Sequence, residues 1–163
     1  MPATENDHEE PRPYASPPCY AHELTAEPAS DAELVVFLNE LLEGERAGAQ
    51  GLTDMAKKTG DAALVKLLQD VARDEGRYCV MLRSQVQRLG GRASDVTGVF
   101  YQKLMARDGL AAQLALLDRG QSAVVRAIEQ MLPRIADAAL HADLVEMRDV
   151  HVRNIARCAA VSV

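Results

Sequence analysis

Leu41-Leu42-Glu43-Gly44-Glu45-Arg46-Ala47-Gly48 is the stretch on which the fold turns. Read outward from it, Leu34, Leu38, Leu41, Glu45, Gly48, Leu52 and Met55 recur at alternating steps of four and three, the spacing of one stripe of an α-helix. Ser30 followed by Glu33 forms a capping box that starts this helix. Glu45 interrupts an otherwise apolar stripe near its middle. Burying such a group costs several kcal/mol unless it is paired, hydrogen-bonded or metal-bound. It marks a functional centre or what remains of one.

Three further stripes repeat the pattern. Thr59-Gly60-Asp61 separates the first helix from a second, whose stripe is Leu64, Leu68, Val71, Glu75, Tyr78, Leu82, Gln85 and Leu89, stopped by Gly90-Gly91. Residues 91–107 form a longer connection, with a short helix expected over Val99–Met105. The third stripe is Leu110, Leu114, Leu117, Gln121, Val124, Ile128 and Met131, ended by Pro133. The fourth is Leu140, Leu144, Arg148, His151, Ile155 and Cys158, with Val145, Asp149, Val152 and Ala156 as a competing register. Each helix thus carries a polar interruption, and each lies roughly 15 residues from its hairpin turn. At ~1.5 Å of rise per residue, Glu45, Glu75, Gln121 and Arg148 should meet in one layer ~20 Å from the turns.

Composition narrows the class. The 163 residues suit one domain, 48% are hydrophobic, and aromatics are only 4%, so Ala, Leu and Val fill the interior. A formal charge of −6 with few rings gives no reason to approach nucleic acid. No apolar run approaches the ~20 residues that cross a bilayer. The acidic N-terminus lacks a signal-peptide pattern, and three cysteines (Cys19, Cys79, Cys158) without framework spacing read as reduced thiols. Both point to a soluble, cytoplasmic protein. Residues 1–30 hold six of the seven prolines and read as an extended arm, leaving residues 31–163 as the helical domain.

Short turn, long connection, short turn is the order of an all-α four-helix bundle with one crossover between the second and third helices. Leu-Leu-Glu-Gly-Glu-Arg-Ala-Gly (41–48), Asp-Glu-Gly-Arg-Tyr-Cys (74–79) and His-Val-Arg-Asn-Ile (151–155) resemble ligand segments of the ferritin-like superfamily, particularly rubrerythrin-type domains. The resemblance spans roughly residues 31–160 and extends to uncharacterised bacterial ferritin-like proteins. It implies a di-iron centre built from a Glu and a Glu-x-x-His in each half. Glu45, Glu75 and His151 stand at such positions, whereas Tyr78 replaces a histidine and Gln121 and Arg148 replace carboxylates.

Two readings follow. In the first, the di-metal centre is degenerate: Glu45, Glu75, Tyr78, Gln121, Arg148 and His151 form a buried polar network, with Arg148 paired to Glu45 or Glu75 in the place of metal. The protein is then a non-catalytic binding or structural protein without a cofactor, its partner a protein or small molecule. In the second, Glu45, Glu75 and His151, with Tyr78 or water, hold one divalent iron, manganese or zinc ion in a metal-handling protein or oxidoreductase. Cys19-x-x-His22 is a secondary metal candidate, and Cys79 near Arg77 and Arg148 a candidate reactive thiol. Phe100, Tyr101, Leu104 and Met105 either cap the helices or make a dimer contact. The ferritin-like resemblance implies a homodimer.

Overall fold

The computed structural model describes residues 26–161. Among them are five α-helices, one 3-10 turn and no strand: α1 (Asp31–Ala56), α2 (Ala62–Arg88), α3 (Phe100–Met105), α4 (Leu110–Met131) and α5 (Ala138–Ala159), with the 3-10 turn at Leu132–Arg134. No helix among the described residues is long and apolar enough to cross a membrane.

Local chemistry sets the ends. At α1 the Ser30 hydroxyl accepts from the Glu33 amide at 3.2 Å, and Glu33 Oε2 accepts from the Ser30 amide at 2.9 Å. Asp61 caps α2 by accepting from the Ala63 and Leu64 amides at 2.9 and 3.1 Å. Asp137 caps α5 through the Leu140 amide at 2.8 Å. Past the end of α2, Gly90 takes φ +76°, a conformation that ends helices cheaply only for glycine. Pro133 stands where α4 gives way to the 3-10 turn.

Packing places the four long helices around a common interior. α1 lies along α2 and α4 along α5, while α2 also meets α5 and α1 touches α4 more sparsely. The short α3 sits against both α1 and α4, where their seam is loose. Glycines make room for it. A Cβ on Gly51 would come 2.6 Å from Leu104 Cδ2, and one on Gly120 would come 2.7 Å from Phe100 Cε2. Tyr101 adds a 2.9 Å hydrogen bond to Asp54 Oδ2. The aromatic-apolar cluster of the connection therefore packs on its own chain. The preceding segment is strapped to α1: Asn39 bonds the Arg92 carbonyl and the Ser94 amide, and Arg46 bonds the Ser94 and Val96 carbonyls.

The apolar interior is split in two. One cluster joins Leu34, Leu38 and Leu42 to Leu82, Val86, Ile128, Leu140 and Leu144. The other joins Leu52 and Met55 to Leu64, Leu68, Leu104, Leu114 and Leu117. In every long helix the residue between the two clusters is polar: Glu45, Glu75, Gln121 and His151, all at most 4% exposed.

The fourth stripe differs from the sequence expectation by one residue. Its buried positions are Leu140, Leu144, Met147, Val150, His151, Asn154 and Cys158. After Leu144 the helix takes a step of three to Met147 rather than four to Arg148, and Asn154 takes the place of Ile155. Arg148 is therefore carried to the flank. The competing register is not adopted either, since Val152 is 49% exposed.

Candidate functional site

The layer is held by two hydrogen bonds, each between helices that do not pack directly. His151 on α5 lies with Nε2 3.0 Å from Glu45 Oε1 on α1. Gln121 on α4 donates through Nε2 to Glu75 Oε1 on α2 at 3.0 Å. Both bonds cross the interior, because α1 and α5, and likewise α2 and α4, make no close backbone approach among the described residues. They fix the relative height of helices that apolar packing alone would let slide.

The protonation state of His151 follows from its partners. Its Nδ1 lies 3.0 Å from the Met147 carbonyl, which can only accept, so Nδ1 carries a proton. Burial alone would disfavour a charge on the ring. The Glu45 charge and hydrogen bond, aided by Glu75, outweigh it and raise the His151 pKa to about 9. At neutral pH the ring is an imidazolium whose two N–H groups both donate. Glu75 behaves oppositely. Burial pushes its carboxyl well above the usual range, the Glu45 charge pushes the same way, and the Gln121 bond and His151 charge offset only part. Glu45 pairs with a cation, whereas Glu75 holds its proton to higher pH than an exposed glutamate does.

Three oxygens in this layer have no hydrogen-bond partner, although they are buried: Glu45 Oε2, Glu75 Oε2 and Gln121 Oε1. The four residues line a cavity of about 230 Å³, walled by Gly44, Gly48, Phe100, Leu117, Gly120 and Val124 among others. It lies along the loose α1–α4 seam beside α3. Gly48 is where the layer and the cavity wall meet. A Cβ there would stand 2.0 Å from Glu75 Oε2, so the carboxyl occupies space that any other residue would fill.

The remaining sequence candidates are placed elsewhere. Arg148 does not enter the layer. It donates through Nε and Nη2 to Asp149 Oδ1 at 2.9 and 2.7 Å and pairs with neither Glu45 nor Glu75. The expected cation inside the layer is His151 instead. Tyr78 is buried, and its ring stands 5.9 Å from the His151 ring at a 43° tilt. Its hydroxyl points away and accepts from Arg77 Nη2 at 2.9 Å, with that guanidinium 4.8 Å above the ring. Burial pushes its pKa up to about 12, so the phenol stays protonated. Cys79 is half-buried, and burial together with the Glu45 charge pushes its thiol up to about 11. Arg46 offsets this only in part, so Cys79 is not an activated thiolate. Cys19 and His22 lie outside the described residues.

Asn154 is a buried polar residue that the sequence reading missed. It donates to Asp74 Oδ2 at 3.0 Å and accepts from Arg157 at 3.2 Å, one turn beyond His151. Alternating four and three from Leu144 through Met147 would have reached it. Gln113, also buried, donates to the Leu104 carbonyl at 3.4 Å and so ties α3 to α4.

A di-iron centre does not fit these residues. The several positive charges of two iron ions ask for four carboxylates, and the layer offers two. At the third position Gln121 presents an amide, and at the fourth Arg148 has turned to Asp149. Among the described residues no three His, Cys, Asp or Glu side chains are grouped so as to hold a metal ion.

No curated protein and no solved structure matches the chain. A family model does match, over residues 32–160, which takes in every residue of the polar layer and, but for Asp31, all five helices. The chain belongs to that family, the domain of unknown function DUF6306.

Proposed function

We propose that this is a ferritin-like four-helix bundle, α1, α2, α4 and α5 with the long connection between α2 and α4, whose metal centre has become a buried polar layer. It works as a non-catalytic binding or structural protein in the cytoplasm, and as a homodimer by analogy with ferritin-like domains. The observation that carries this is the double commitment of His151: one ring nitrogen donates to the Met147 carbonyl and the other meets Glu45. As an imidazolium that donates at both nitrogens, the ring has no lone pair for a metal. The Gln121–Glu75 hydrogen bond supports the same reading, because an amide stands where the ferritin-like pattern would place another carboxylate and occupies one Glu75 oxygen.

The alternative is a remodelled one-metal centre in a metal-handling protein. It draws on the unpaired Glu45 Oε2 and Glu75 Oε2. Metal content separates the two. Protein purified without chelator and measured by plasma mass spectrometry should carry no near-stoichiometric iron, manganese or zinc, even after anaerobic reconstitution. Near-stoichiometric metal that disappears in Glu75→Ala would establish the alternative.

A further inference from the structure

The layer has more acceptors than donors. Among the described residues its unpartnered buried side-chain atoms are all oxygens, and no buried side-chain nitrogen lacks a partner. Glu45, Glu75 and Gln121, which own these oxygens, are 2%, 3% and 4% exposed and line the same cavity. A ligand entering there must bring hydrogens. Charge points the same way: the one cation of the layer, the His151 ring, is paired with Glu45, and Glu75 makes no ion pair among the described residues. Arg148, the cation expected in the layer from the sequence, is spent on Asp149.

We propose that this cavity binds a small organic monocation, a primary ammonium on a compact apolar body. The ammonium has three N–H donors for the unpaired oxygens of Glu45, Glu75 and Gln121. Its body lies against Phe100, Leu117 and Val124, which supply the apolar wall. Size agrees, since a cavity of ~150 Å³ accepts benzene and this one is about 230 Å³, room for a ring with a one-carbon aminomethyl arm. Gly44 and Gly48 keep the α1 side of the cavity open; a Cβ on Gly44 would meet no atom within 4 Å. The proposal rests on the polar layer being metal-free.

Benzylammonium is the probe, titrated calorimetrically into the full-length chain at neutral pH, with benzyl alcohol as the uncharged analogue of the same shape. Benzylammonium is expected to bind saturably, one per chain, at least ten-fold more tightly than benzyl alcohol. Glu75→Gln keeps the side-chain shape and an acceptor for Gln121, and should remove most of that preference. Gly44→Leu should abolish binding of both compounds by growing into the cavity. The proposal is overturned if benzylammonium gives no saturable heat, if the two compounds bind alike, or if Glu75→Gln leaves the preference intact. Should Glu75→Gln fail to fold, the wild-type preference and Gly44→Leu decide. Metal analysis on the same sample keeps the failures apart: absence of binding to metal-free protein removes the ligand, whereas stoichiometric metal removes the reading of the layer.

Discussion

Glu45→Ala is expected to destabilise the fold by about 3–5 kcal/mol at pH 7, because it leaves the buried His151 cation without its partner. Chemical denaturation of the variant beside wild type measures this directly. His151→Leu should also be costly, since it strands the Glu45 charge, yet the double variant should lose less than the sum of the two. The pH profile carries the same signature. His151 is raised from 6.5 to about 9, so the folded state holds its proton more tightly than the unfolded chain. Its contribution is complete below pH 6.5 and disappears as pH rises through about 9, a change of about 3 kcal/mol. The raised Glu75 pKa acts in the same direction, lowering stability as pH climbs above 4.5. Wild-type stability should therefore decline through the alkaline range, and Glu45→Ala should flatten the part of that decline above pH 6.5. A Glu45→Ala cost under about 1 kcal/mol would remove the buried ion pair from the account.

Gly48→Ala and Gly44→Ala should move stability in opposite directions although they lie one turn apart on α1. Both exchange a mid-helix glycine for the best helix former, which by itself gains about 0.5–1 kcal/mol. At Gly44 nothing opposes that gain, because the new Cβ meets no atom within 4 Å. At Gly48 the Cβ would stand 2.0 Å from Glu75 Oε2 and 2.8 Å from its Cδ. The carboxyl would have to move, and Gln121 holds it from the other side at 3.0 Å. Overpacking of this kind costs about 1–3 kcal/mol, to which loss of the Gln121 bond adds about 1 kcal/mol. Thermal unfolding of the two variants in parallel cancels helix propensity and isolates the contact. A stabilising Gly48→Ala would mean that Glu75 does not face α1.

The first three stripes were legible in the sequence because their apolar residues leave little choice of register. Capping at Ser30 and the turn at Asp61 were legible for a similar reason: the side chains that start those helices are local in sequence. The shared level of Glu45, Glu75 and Gln121 followed from counting residues to the turns. Failure came on α5, where Met147 and Arg148 both satisfy a helical step and only packing chooses between them. The apolar Met147 enters the interior and the cation stays at the flank beside Asp149, because desolvating a guanidinium costs far more than desolvating a thioether. That one-residue error gave the layer the wrong cation and concealed Asn154. Tyr78 shows a second limit. Its position on the stripe was right, but a tyrosine buries its ring and sends its hydroxyl to whatever polar group lies beyond, here Arg77. Cys79 was only a candidate for a reactive thiol, and sequence proximity to arginines says nothing about burial, which dominates there. The diagonal pairing of the layer depends on how the helices are arranged around one another, and no local pattern encodes it.

The most direct test of the central claim is the protonation of His151, read from the ring nitrogen resonances of 15N-histidine-labelled protein across a pH titration, with His151→Gln to assign the signal. Two protonated ring nitrogens at neutral pH, with deprotonation delayed to about pH 9, is the result expected of an imidazolium locked between Met147 and Glu45. A ring that is neutral at pH 7, or that titrates at or below 6.5, would contradict the buried ion pair and reopen the site to metal.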